Sequence, residues 1–101
     1  MKAKHLIREN FRNEVFKRDG FKCRVCRKGG ELDAHHITDR NLMPNGGYVK
    51  ENGISLCSDC HLRAEQHHIH PNMEEDGFGE IALYDLIGSS YYNAREASLK
   101  L

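Results

Sequence analysis

The chain has 101 residues, 39% hydrophobic and 30% charged, which is one domain's worth of sequence with too little apolar material to fill a large core. Fifteen basic residues balance fifteen acidic ones, so the formal net charge is zero and the simplest electrostatic argument for a nucleic-acid partner is missing. Four cysteines and seven histidines in so short a chain point to metal binding as a substitute for the missing core.

The stretch from Met1 to Arg8 is charged and lacks the apolar run of a secretory signal, and no segment approaches the length of a membrane span. A soluble, cytoplasmic protein with no membrane contact is expected, in which thiols stay reduced and a cysteine pattern reads as metal binding before it reads as disulfides. The zero net charge conceals an asymmetry. Residues 1–28 hold ten Lys or Arg against Glu9, Glu14 and Asp19, a net +7, and residues 29–101 carry a net −7. Such a split suggests a phosphate-contacting surface at one end, with a solvated helix face as the plainer reading.

Ile7, Phe11 and Val15 recur at a spacing of four, which predicts an amphipathic helix over 7–18 ended by Asp19-Gly20. Residues 31–38 and 52–57 read as the strands of a hairpin whose long loop holds Asn41, Pro44, Asn45, Gly46 and Gly47. Ser58 is the expected N-cap of a helix over about 59–69, with Leu62 and Ile69 on its apolar side. His70-Pro71-Asn72 stops it, and Glu74 to Gly77 forms a polar connector. The tail, about 78–101, predicts two short helices packing back on the domain through Ile81, Leu83, Leu86, Ile87, Tyr91, Ala94, Leu99 and Leu101, with Gly88-Ser89-Ser90 as break and cap. The whole reads as a single domain over 1–101.

Cys23-Arg24-Val25-Cys26 and Cys57-Ser58-Asp59-Cys60 are two C-x-x-C knuckles with thirty residues between them. Each can offer two thiolates to one ion, and together they complete the tetrahedral sulfur shell of a closed, structural zinc site. A thiol redox role is disfavoured, since neither knuckle sits in a βαβ context. Between the knuckles lies Asp33-Ala34-His35-His36-Ile37, and His61 directly follows Cys60. Any one of these histidines alone would read as structural. Three attached to one zinc-tied scaffold read as a site.

These elements resemble the HNH endonucleases. The matching residues are the Cys23–Cys26 knuckle, the Asp33 to Ile37 strand, and Asn52-Gly53-Ile54-Ser55-Leu56-Cys57-Ser58-Asp59-Cys60-His61, with the spacing from Asn52 to His61 selecting Asn52 over Asn41 or Asn45 as the middle letter. The resemblance covers about residues 11–69. It implies a small α+β, zinc-stabilised ββα-metal fold: a β-hairpin followed by a helix, with a divalent ion between them, an N-terminal basic helix and C-terminal helices. It assigns His35 and His61 as metal ligands, His36 as the general base that activates water, and Asn52 as the residue whose amide fixes the hairpin loop and helps orient the base. Glu65 stands where some members carry a further histidine and is a ligand, a water-orienting group or a bystander. Asp33 is a partner for a histidine or an ordinary strand residue.

Phosphodiester hydrolysis needs a base near neutrality and a Lewis acid on the phosphate, which an imidazole and one divalent ion supply. Magnesium tolerates few histidines, whereas manganese, nickel, cobalt or zinc bind imidazole better. In a regular strand adjacent side chains point to opposite faces, so His35 and His36 share one site only where the strand bends or ends. Phosphate contacts are expected from Arg8, Arg12, Lys17 and Arg18 on the basic helix, from Lys22, Arg24, Arg27 and Lys28 around the first knuckle, and from Arg63. His67, His68 and His70 cluster at the helix end, where a solvated terminus is the default reading and contact with DNA or a second metal the alternative. The competing function is a zinc-stabilised DNA- or protein-binding module that has lost catalysis. Small stand-alone members of the family resemble phage or prophage proteins acting beside DNA-packaging machinery, or restriction-like and mobile-element nucleases. A monomer or weak dimer in a bacterial or phage-infected cell is expected.

Overall fold

In the computed structural model, which describes residues 3–70 and 76–101, helix α1 spans Lys4–Arg18 and begins three residues ahead of its apolar stripe. Phe11 and Val15 are its buried residues, and Lys17 and Arg18 occupy its last turn, where cations complement the exposed carbonyls. Strand β1 (Asp33–His36) pairs antiparallel with β2 (Gly53–Leu56), His36 opposite Gly53 and Asp33 opposite Leu56. The ladder is shorter than the apolar runs at 31–38 and 52–57, because the flanking residues turn away into the knuckle and the loop. That loop is a chain of short 3-10 turns at 40–42, 44–47 and 50–52.

All four residues of β2 are buried, with α1 pressed against it. Gly53 makes this approach possible: a Cβ there would lie 2.5 Å from Val15 Cγ2 and 2.6 Å from Phe11 Cε1. Behind α1 a buried ion cluster locks the corner. The Asp19 carboxylate accepts from Arg18 Nε at 2.8 Å, Arg18 Nη2 at 2.9 Å and the Ser55 amide at 2.8 Å, and lies 3.6 Å from Arg24 Nε. A buried carboxylate is tolerable only when its lone pairs are filled in this way.

Helix α2 covers Ser58–Ile69, and two details of its reading are corrected. Its N-cap is Cys57, not Ser58, and no side chain caps it; the Cys57 carbonyl accepts the His61 amide at 2.8 Å. Leu62 and Ile69 are 65% and 63% exposed, and the helix buries Cys60 and Ala64 instead. The spacing of seven put Leu62 and Ile69 on one face correctly, but the face turned to the hairpin is the one carrying cysteine and histidine.

The tail forms α3 (Glu80–Leu86) and α4 (Tyr91–Leu99), with Ser90 Oγ accepting the Asn93 amide at 3.1 Å as an N-cap. They bury Leu83, Tyr84, Ala94 and Ser98, whereas Ile81, Leu86, Tyr91, Leu99 and Leu101 are exposed, contrary to the packing expected of them. Small residues face inward here because α4 packs close against the hairpin loop. Ile37, Met43, Ile54, Leu56, Leu83 and Tyr84 form one core with Cys23, Cys57 and Cys60. Half of the expected polar connector at 74–77, Glu74 and Glu75, lies outside the described residues, as do Pro71 and Asn72. Among the described residues no helix is long and apolar enough to cross a membrane.

Candidate active site and metal centres

The first knuckle is a tight backbone turn: the Cys23 amide donates to Lys28 O at 2.9 Å and the Arg27 amide to Cys23 O at 2.9 Å, with Arg27 in the left-handed region at φ 68°. The Arg24 amide donates to Ser55 O at 2.9 Å and so docks the knuckle on β2. The second knuckle is the start of α2. Their four thiols are free of disulfides and lie within 4.8 Å of one another, Cys26 Sγ and Cys57 Sγ at 3.6 Å. A zinc–sulfur bond of about 2.3 Å in a tetrahedron puts sulfurs about 3.8 Å apart, so the cluster could hold a zinc ion. Burial would raise Cys23, but amide donors from Cys26, Cys57 and Val25 outweigh it and bring the thiol down to about 7. Burial, then hydrogen bonds with the neighbouring thiols, pushes Cys60 up. Four thiolates crowded this closely need a cation among them.

One residue beyond Cys60, His61 begins a second cluster. His35 on β1 and His61 and Glu65 on α2 bring their ligand atoms within 4.8 Å of one another. Glu65 Oε1 lies 3.1 Å from His61 Nε2 and 3.4 Å from His35 Nδ1; the second approach lacks hydrogen-bond geometry and leaves His35 Nδ1 buried without a partner. His61 and Glu65 meet because they are four apart on a helix. Burial first, then the neighbouring His68, His61 and His36, pushes the His35 imidazole down to about 2, so it is neutral and able to donate a lone pair. A neutral imidazole with an orphaned nitrogen, a second imidazole and a carboxylate are a donor set that fits a divalent cation. Asp33 Oδ2 lies 3.2 Å from His61 Nδ1, the position from which a carboxylate fixes the tautomer of a ligating histidine.

His36 is not brought into that cluster. It ends β1 and faces the other side of the pleat, its ring stacked on Phe11 at 4.6 Å and edge-on to Tyr48 at 4.7 Å. Its Nε2 is buried and has no hydrogen-bond partner among the described residues. Burial, with the charges of Arg40 and His68 adding to it, pushes its imidazole down to about 4.

Asn52 is fully buried and uses every hydrogen-bonding position of its amide. Oδ1 accepts from the Thr38 amide at 3.0 Å and Tyr84 Oη at 2.8 Å, and Nδ2 donates to Thr38 O at 3.1 Å and Gly47 O at 3.2 Å. The side chain thereby staples both ends of the hairpin loop. Tyr84, on α3, closes this network, and no motif in the sequence announced it.

Of the nine cations expected at phosphate, Arg8, Arg12, Lys17, Lys22, Arg27, Lys28 and Arg63 are exposed. Arg18 and Arg24 are committed inside the fold. Arg18 adds bonds to Lys50 O at 2.6 Å and Gly53 O at 2.7 Å to its pairing with Asp19, and Arg24 bonds Leu86 O. The terminal histidines divide as well. His67 bonds Asp76 at 2.7 Å, His70 is the exposed C-cap of α2, and His68 stacks on His35 at 4.9 Å while donating to Ile37 O at 3.0 Å.

A hairpin followed by a helix, a donor set of two histidines and a carboxylate across them, and a four-cysteine cluster at the junction make up a small α+β protein with two candidate metal sites. Residues 23–66 match the model of the HNH endonuclease family. No curated protein and no solved structure matches the chain.

Proposed function

We propose that the protein is a metal-dependent DNA endonuclease. The observation that carries this reading is the cluster of His35, His61 and Glu65, one donor from the hairpin and two from the helix, within the segment matched to the HNH family. These three residues would hold one divalent ion, which supplies Lewis acidity to the scissile phosphate and its departing 3′ oxygen. Asp33 orients His61 from behind. His36, at the end of β1 and on the face of the pleat away from the ion, takes the proton from the water attacking a phosphate that spans the strand end: its ring is held neutral by burial, its Nε2 is unpartnered among the described residues, and the anionic phosphate raises its basicity. Phe11 and Tyr48 hold the imidazole plane, and Asn52 holds the loop that carries Tyr48.

The four cysteines are assigned a structural zinc, since four thiolates fill a tetrahedral shell and leave no open position. Exposed Arg8, Arg12, Lys17, Lys22, Arg27, Lys28 and Arg63 attract the phosphate backbone without reading bases, so sequence preference is weak. One site per chain cuts one strand at a time.

Incubating supercoiled plasmid with the purified protein and a panel of divalent ions tests this reading. Wild type should nick, and His36→Ala should lose about 10²–10⁴-fold in rate while keeping its circular dichroism and divalent-ion affinity. Equal cleavage by both proteins refutes the role of His36. No cleavage with any ion favours the DNA- or protein-binding module.

A further inference from the structure

The first turns of α1, the loop leading to β2 and the end of α4 converge on a cleft of about 840 Å³. Its charged lining is Lys4, Arg8 and Lys100, with Tyr48 and Asn45 as polar members and no acidic side chain. Lys4 and Lys100 come from opposite ends of the sequence. Lys100 belongs by position to the acidic remainder of the chain, so only the fold brings it to the basic helix.

Tyr48 forms the wall. The Arg8 guanidinium lies 5.9 Å from its ring centroid, and Arg40 Nη1 donates to its hydroxyl at 3.3 Å. Burial alone would raise the phenol, but hydrogen bonds from Arg40 and Arg8 and then their charges hold it below the ordinary value. Lys4, Arg8, Arg40 and Lys100 form no ion pair among the described residues, unlike Arg18 and Arg24, whose charge is matched by Asp19. The Asn45 amide is occupied, donating to Ser98 O at 3.0 Å, and acts as a tie between loop and α4. A smaller hollow shares Ile7, Tyr48 and Leu101 with the cleft but contains Glu14 and Glu51, which would repel an anion on that side. The same Tyr48 ring that walls the cleft packs edge-on against His36.

We propose that this cleft binds backbone phosphates of the DNA strand being cut, a few nucleotides from the phosphate at His36, through Lys4, Arg8, Lys100 and the Tyr48 hydroxyl, which Arg40 holds from outside the cleft. The inference rests on the nuclease reading above and adds to it a strand path on the α1–α4 side of the molecule. Charge complementarity selects the occupant: three cations line the cleft with no acidic side chain among them, and the acidic side chains lie in the adjoining hollow, which suits a polyanion that passes along one side. A cationic ligand would be repelled by those charges.

The test is binding of a fluorescently labelled DNA duplex, followed by anisotropy across a potassium chloride series without added divalent ion. Each phosphate contact contributes about 0.9 to the slope of log affinity against log salt. Lys4→Ala/Lys100→Ala should therefore flatten the slope by about two and weaken binding about tenfold or more at low salt. Tyr48→Phe, which keeps the ring against His36, should weaken binding severalfold. If the double variant keeps the wild-type slope and affinity while the wild type binds and nicks plasmid, the cleft is overturned and the nuclease reading stands. If the wild type neither binds DNA nor cleaves with any ion, both fall together. Both lysines are exposed, so folding of the variants is checked by circular dichroism and expected to match wild type.

Discussion

Two clusters of metal-binding side chains meet at consecutive residues, Cys60 and His61, and they are built to opposite rules. The sulfur cluster gathers four like donors, three of them buried, from two backbone turns, and a tetrahedral ion there would have no position to spare. The histidine and carboxylate cluster gathers three mixed donors, two of them half-buried, and leaves room for water and phosphate around an ion. The difference is that between a closed donor shell and an open one. The first cluster brings the turn at 23–28 against the start of α2, and the second begins one residue further along the same helix.

The sharpest way to break this comparison is to remove the sulfur site. Chelation of zinc, or Cys57→Ala, should unfold the domain cooperatively, because structural zinc sites are worth about 10 kcal/mol or more, of the order of a small domain's whole stability. Loss of the helical circular dichroism signal measures it, and a variant that keeps that signal and its Tm without metal would end the distinction. Next in size is Asn52→Ala. It orphans buried groups on Thr38, Gly47 and Tyr84 at once and should cost about 3–5 kcal/mol in urea unfolding, with zinc still bound. If Asn52 acted only on chemistry, stability would be unmoved.

Glu65→Ala should do the reverse. Isothermal titration should show divalent-ion affinity falling about 10–100-fold. Tm should shift by only a few degrees, since the carboxylate is half-exposed and buries nothing. A Glu65 variant that unfolds would place the second cluster among the structural ones. The smallest effect lies at high pH. Burial raises the Tyr84 phenol to about 12 from an ordinary 10, so the folded state keeps a proton that the unfolded state gives up. Stability is therefore full below about pH 10 and is lost as pH rises towards about 12. Absorbance titration should find one of the four tyrosines ionising late, and Tyr84→Phe should abolish that late phase.

The same contrast explains what could be read from the sequence. The order of elements was legible because short spacings carry it: C-x-x-C twice, two short runs at 31–38 and 52–57 around a loop of Asn, Pro and Gly, a stripe at Ile7, Phe11 and Val15. The α+β hairpin-and-helix fold follows from them. What stayed hidden depends on groups distant in sequence. Nothing local marks Asp19 as the buried partner of Arg18 and Arg24, so both cations read as free. Tyr84 reaches Asn52 only through the packing of α3. Leu62 and Ile69 obey the helical period, yet hydrophobicity yielded the inner face of α2 to the residues that line the two clusters. Glu65 was ambiguous for a related reason: a carboxylate one turn from His61 is equally common on a solvated helix, and only the approach of β1 distinguishes the cases.

Gly53 carries no chemistry, but the spacing of α1 from the hairpin depends on it. It faces His36 across the ladder, and the hydrogen it has in place of a methyl group is what lets Phe11 slide beneath that imidazole. A methyl group there would push α1 outward at a cost of about 1–3 kcal/mol. The damage would register as a loosened ring at the end of β1 as well as in the sheet. A position with no side chain to contribute thus sets how tightly the His36 ring is held, and variation there should be read as a change in alignment, not in packing alone.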